Sequence, residues 1–202
     1  LLKLKKVKGW DNMKKFALLL LVSGIGLVGG AQGISAVEAN PTAELTSNAS
    51  LTVQPGVLSL DTVSNFNFGT LSIQDIAEAD QSLTSTPEAT TVSDFRGPNQ
   101  SGWVLTAKLS QIQNENSVRL QSAKLNLSAA VKEGNASVGT IPALDAGATD
   151  STLVATANGT TGLATNEFDF TATTLTFPQQ NINSGQYSGT VTWTLTNAYT
   201  PD

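Results

Sequence analysis

The chain has no histidine and no cysteine in 202 residues. Without imidazole, a mechanism with histidine as general base or metal ligand is ruled out. Without thiols there is no disulfide framework, no thiolate zinc site, no cysteine nucleophile and no cysteine for a lipid anchor. Charge is sparse too, at 13% of residues, and aromatic residues are 6%, with three Trp and two Tyr among them. What remains for acid–base chemistry is carboxylates. The best pair, Glu167 and Asp169, alternates along one short strand, where a solvated sheet face is the simpler reading than a two-carboxylate glycosidase. Calcium held by Asp, Asn and carbonyl oxygens is compatible with the loops, but no dense acidic loop points to it. Metal dependence stays open with no metal-ligating residue assigned, and no cofactor is expected. The chain is not expected to be an enzyme.

The first thirty-nine residues predict export. Met13-Lys-Lys opens an apolar run, Phe16-Ala-Leu-Leu-Leu-Leu-Val22, and small residues follow near Ala36 and Ala39. A basic start, a short apolar core and small residues at the end make a secretory leader over residues 13–39, cleaved after Ala36 or Ala39. Residues 1–12, which lack an initiator Met, are expected to be an upstream mis-called start or an extended basic region. The run Gly24-Ile-Gly26-Leu-Val-Gly29 imitates a dinucleotide fingerprint. It lies in the apolar leader rather than between a strand and a helix, so a nucleotide site is not expected. No hydrophobic stretch in the remainder suggests a membrane span, and the C-terminal residues show no sorting signal.

Past residue 39, five Lys and Arg stand against fourteen Asp and Glu, a net charge of −9. Such a surface is a poor match for nucleic acid or an anionic membrane. The 163 residues from Asn40 to Asp202 fit one domain, which would bury roughly 70% of its unfolded surface. Short alternating runs bounded by Gly, Pro, Asn and Ser predict an all-β fold, a two-sheet antiparallel β-sandwich. Expected strands are 50–53, 57–60, 66–68, 90–95, 102–111, 124–131, 168–170, 175–177 and 187–197. Residues 73–81 suggest a brief helix, and 138–165 a long loop or weak hairpin. Triplets such as Asn135-Ala-Ser137 carry meaning only in a cell that glycosylates asparagine.

Two of the expected strands look alike. Gly102-Trp103-Val104-Leu105-Thr106 and Val191-Thr192-Trp193-Thr194-Leu195-Thr196 each set a Trp two residues before a Leu, which puts both side chains on one face of a strand. Val92-Ser-Asp94-Phe-Arg96-Gly97 precedes the first copy and Ser188-Gly-Thr190 leads into the second. Upstream lie Gly56-Val-Leu-Ser-Leu60 and Asn65-Phe-Asn-Phe-Gly69. With these flanks, residues from about Ala43 onward resemble the WxL domain, a cell-wall-binding module of Gram-positive surface proteins.

The resemblance implies a non-catalytic cell-surface protein held non-covalently on peptidoglycan from outside the cell. It also implies a surface complex containing a membrane-anchored WxL-interacting protein and other WxL surface proteins. The alternative is a structural subunit or adhesin whose main partner is another protein. Candidate wall-binding residues are Trp103, Leu105, Trp193, Leu195, Asp94 and Arg96. The rings offer flat faces and N–H donors to sugars; equally, a Trp and Leu on one strand face can be core. Asp94 and Arg96 can meet the wall polymer or pair with each other.

Overall fold

The computed structural model describes residues 45–98 and 100–197; the expected leader and the residues before it lie outside them. In chain order the elements are β1 (Leu58–Thr62), α1 (Ile73–Glu78), β2 (Gln81–Ser85), β3 (Thr90–Asp94), β4 (Trp103–Leu109), β5 (Lys124–Asn126), β6 (Ala130–Glu133), β7 (Ser137–Val138), β8 (Leu144–Asp145), β9 (Thr152–Ala157), β10 (Ala164–Asp169), β11 (Thr173–Phe177) and β12 (Val191–Thr196). The expected all-β architecture is present, and every strand pairing among the described residues is antiparallel.

The pairings form three four-stranded ladders rather than the two expected: β1-β3-β10-β6, β2-β11-β5-β8 and β12-β4-β9-β7. The third ladder arises because three chain segments bend. β2 runs into β3, β5 into β6 and β10 into β11, and each pair passes between the first two ladders in matching spatial order. Strands that switch sheets at a corner turn one layer through an angle while the core stays continuous. Pro87 stands at one corner, where it cannot donate to a ladder. At another, Thr173 N donates to the Phe170 carbonyl at 3.1 Å. The expected single strand over 124–131 is split by the same bend. The β12-β4-β9-β7 ladder faces this bent layer, and Trp103 of β4 meets Phe168 of β10 across the core.

Two other differences have physical reasons. β9 falls inside the expected loop because its inward residues Ala155 and Ala157 are small and give little β signal, yet both are buried beside β4. Residues 50–53 and 66–68 join no ladder, although Phe66 and Phe68 do lie on one side of the chain, stacked at 6.4 Å. The brief helix is α1. Its start is closed by a reciprocal capping box: Ser72 Oγ accepts from Asp75 N, and the Asp75 carboxylate accepts from Ser72 N. Loss of that cap in Ser72→Ala is expected to cost about 1 kcal/mol, measured as a lower urea midpoint.

Candidate functional site

Alternation on β4 buries Trp103, Leu105, Ala107 and Leu109 and leaves Val104, Thr106 and Lys108 half-covered. On β12, Val191, Trp193 and Leu195 are half-buried and the intervening threonines exposed. The two motif strands are neighbours. Leu195 lies opposite Leu105 and Trp193 opposite Ala107, where the small alanine leaves room for the indole. In this register Trp103 lies beyond the end of β12, so the two indoles do not face each other across a shared groove.

Trp103 has 0% of its surface exposed. Its Nε1 donates to the Gly162 carbonyl at 3.2 Å, and its ring meets Phe168 edge-on at 6.3 Å. Leu105 is also at 0%. A side chain without accessible surface offers no face to a sugar, so direct wall contact by Trp103 or Leu105 is not what this packing provides. The preceding Gly102 has a steric reason: a Cβ there would stand 1.8 Å from the Ala157 carbonyl oxygen of β9.

Trp193 is different. Its ring contacts Phe170 edge-on at 5.4 Å, Phe170 contacts Phe66 edge-on at 6.4 Å, and Phe66 stacks on Phe68. Its Nε1 is buried and has no hydrogen-bond partner among the described residues. Leu195 packs against the same core from its half-buried position.

Asp94 and Arg96 pair. The Asp94 carboxylate, buried at the end of β3, accepts from Arg96 Nε at 2.8 Å and Nη2 at 2.7 Å. Arg96 also donates to the Ser101 carbonyl and to Asn197 Oδ1, just past β12. The guanidinium thus ties three segments together. Hydrogen bonds from Arg96 hold the Asp94 carboxyl below its ordinary range, and the same bonds raise Arg96. Gly97 turns the chain here with φ +91°, a conformation that favours glycine. Motif and lead-in together brace one end of the β4–β12 pair.

An open concavity lies elsewhere among the described residues. A groove of about 810 Å³ has core residues such as Ile76, Ile112 and Phe177 as its floor. Residues 66–71 line one wall and residues 182–189 the other. Phe66, Phe68 and Tyr187 contribute rings; Asn67, Asn183 and Gln186 contribute amides; none of the lining residues carries a charge. Tyr187 is held by its own hydroxyl, which donates to the Asn183 carbonyl at 3.1 Å. The groove was not among the sequence-derived candidates. Its only signal was aromatic residues set among Asn, Gly and Ser, as in Asn65-Phe-Asn-Phe-Gly69. Trp193 reaches it indirectly, through Phe170 and Phe66.

Glu167 of the weighed carboxylate pair takes an ion pair from Lys132 at 2.6 Å on the surface. Among the described residues no cluster of three metal-ligating side chains occurs, and no helix is long and apolar enough to cross a membrane. No curated protein and no solved structure matches the chain. A family model described as "WxL domain surface cell wall-binding" matches residues 37–198. With both Trp-x-Leu strands paired side by side and their lead-in bracing them, the chain belongs to the WxL family of surface cell-wall-binding domains.

Proposed function

We propose that the domain retains its chain on peptidoglycan non-covalently, by seating a length of glycan in the uncharged groove between residues 66–71 and 182–189. The observation that carries this is the groove's chemistry: aromatic faces and amides without charge, on an acidic chain. Ring faces stack on the C–H faces of sugars, and Asn and Gln side chains both donate to and accept from acetamido groups. The amino sugars of the glycan are largely uncharged, so the net acidity is no obstacle. In this reading Trp193 is a positioning residue, acting through Phe170 and Phe66, and Leu195 holds β12 against the core opposite Leu105. Trp103, Leu105, Asp94 and Arg96 hold the two motif strands in place. The chain works outside a Gram-positive cell after loss of its leader, so the exported protein is expected to begin at Val37 or Asn40 on N-terminal sequencing.

The test is sedimentation with purified peptidoglycan stripped of teichoic acids. Tyr187→Ala, and separately the double change Asn183→Ala with Gln186→Ala, are expected to weaken binding about tenfold with the circular dichroism spectrum unchanged. Wild-type affinity in both folded variants would overturn the groove assignment. Failure of the unaltered domain to bind would overturn peptidoglycan as the ligand. A protein partner, such as a membrane-anchored WxL-interacting protein or another WxL surface protein, has one observation in its favour. β12 stands at the end of its ladder with an uncharged outer edge.

A further inference from the structure

β12 pairs with β4 through alternate residues. Ser110 N donates to the Thr190 carbonyl in the same register that sets Thr192 opposite Lys108 and Thr194 opposite Thr106. In an antiparallel ladder the residues between such pairs turn their N–H and C=O the other way. Val191, Trp193 and Leu195 therefore direct their backbone donors and acceptors outward. No strand among the described residues takes them up.

Sheet edges are commonly blunted by charge, proline, a bulge or brevity. The other edges here carry such devices. β1 has a register shift and Asp61, β6 has Lys132 and Glu133, and β7 and β8 are two residues long. β2 is flanked by Asp80 and Pro87. β12 has none: its register runs unbroken from Val191 to Thr196, and no charged residue occurs from Ser184 to Asn197. It is also the longest of these edge strands, at six residues.

The same chain carries an unpaired segment of matching pattern. Ser50-Leu51-Thr52-Val53-Gln54 alternates as a strand does, yet it joins no ladder, and Leu51 and Val53 are 87% and 80% exposed. Pro55 ends it, and Gly56 then fastens the chain by donating to the Phe95 carbonyl at 2.8 Å. That anchor lies one residue from Arg96, which reaches Asn197 at the end of β12. Laid along its own β12 from that end, the segment would run parallel to it, whereas every ladder in this fold is antiparallel. A second molecule can present the segment in the antiparallel sense.

We propose that residues 50–54 of one copy add as a strand to the open edge of β12 in a second copy, joining the domains donor to acceptor. The added strand takes up the outward groups of Val191, Trp193 and Leu195. Its Leu51 and Val53 lie beside Trp193 and Leu195 on the apolar face. Identical donor and acceptor surfaces on each chain allow head-to-tail growth as well as closure into a dimer.

The test is sedimentation velocity of the purified protein over a range of concentrations. Two variants alter only exposed side chains and are checked by circular dichroism. Leu51→Asp with Val53→Asp disables the donor; Thr192→Lys with Thr194→Lys blunts the acceptor edge. The expected result is concentration-dependent association of the unaltered protein and loss of the associated species in each variant alone. An equimolar mixture should regain it, since one variant keeps an intact acceptor and the other an intact donor. A protein that is monomeric at every concentration overturns the inference while leaving a different protein partner for the edge, and peptidoglycan for the groove, untouched. Association that persists in both variants, or that the mixture does not restore, overturns it as well.

Discussion

Trp103→Ala should cost the domain about 4 kcal/mol, a large share of the roughly 5–15 kcal/mol that holds a typical domain folded. The ring is wholly enclosed, with Phe168 against it edge-on and the Gly162 carbonyl at its N–H. Truncation leaves a cavity that the surroundings cannot readily close, because β4 is held between β12 and β9. The hydrogen bond contributes less to the loss. The Gly162 carbonyl also accepts from Asn166 Nδ2 at 2.8 Å, so it is not orphaned when the indole goes. Trp103→Phe, which keeps most of the ring volume, should therefore cost well under half as much. Urea denaturation followed by circular dichroism separates the two variants. Equal midpoints for Trp103→Ala and the unaltered protein would show that the ring is not core.

Asp94→Ala should cost about 3 kcal/mol, because it leaves the Arg96 guanidinium largely enclosed without its countercharge. It would also loosen the tie through Arg96 to Ser101 and Asn197. The same pair sets an acid limit. The Arg96 hydrogen bonds hold the Asp94 carboxyl below its ordinary value of 3.8 in the folded chain. A carboxyl depressed on folding contributes stability that is complete above its unfolded value and is lost as pH falls through the folded one. The urea midpoint is thus expected to be flat near neutrality and to drop below about pH 4. Asp61, lowered by hydrogen bonds from Ser59 and Ser93, adds to the drop in the same direction. Asp94→Asn, which keeps the shape and removes the titration, should lower the midpoint near neutrality and shallow its acid slope. An unchanged slope would assign the acid sensitivity to other carboxylates.

Much of this was legible in the chain itself. Strict alternation over 103–109 and 191–196 identified β4 and β12 and the faces on which their Trp and Leu lie. The short Asp94–Arg96 spacing admitted the pairing that the fold adopts. Alternation does not name a strand's partner, however, and it continues through corners, so the bend that divides 124–131 left no mark. β9 was hidden by its alanines, which pack because β4 covers them and not through any bulk of their own.

The groove was illegible for another reason. Its walls come from loops more than a hundred residues apart, and no spacing links Phe68 to Tyr187. Whether an indole faces inward or outward is also undecided by a strand pattern, since both faces alternate alike. Packing separates the two motif residues: Trp103 is sealed, and Trp193 backs a chain of rings leading to the groove.

In the proposed function the motif strands build the domain while the uncharged groove meets the wall. The most direct test of that division is chemical-shift mapping of isotopically labelled protein titrated with soluble peptidoglycan fragments. Shifts are expected to concentrate in residues 66–71 and 182–189, with the Trp103 indole N–H unmoved. Shifts centred on the Trp103 indole, with the groove residues silent, would contradict it.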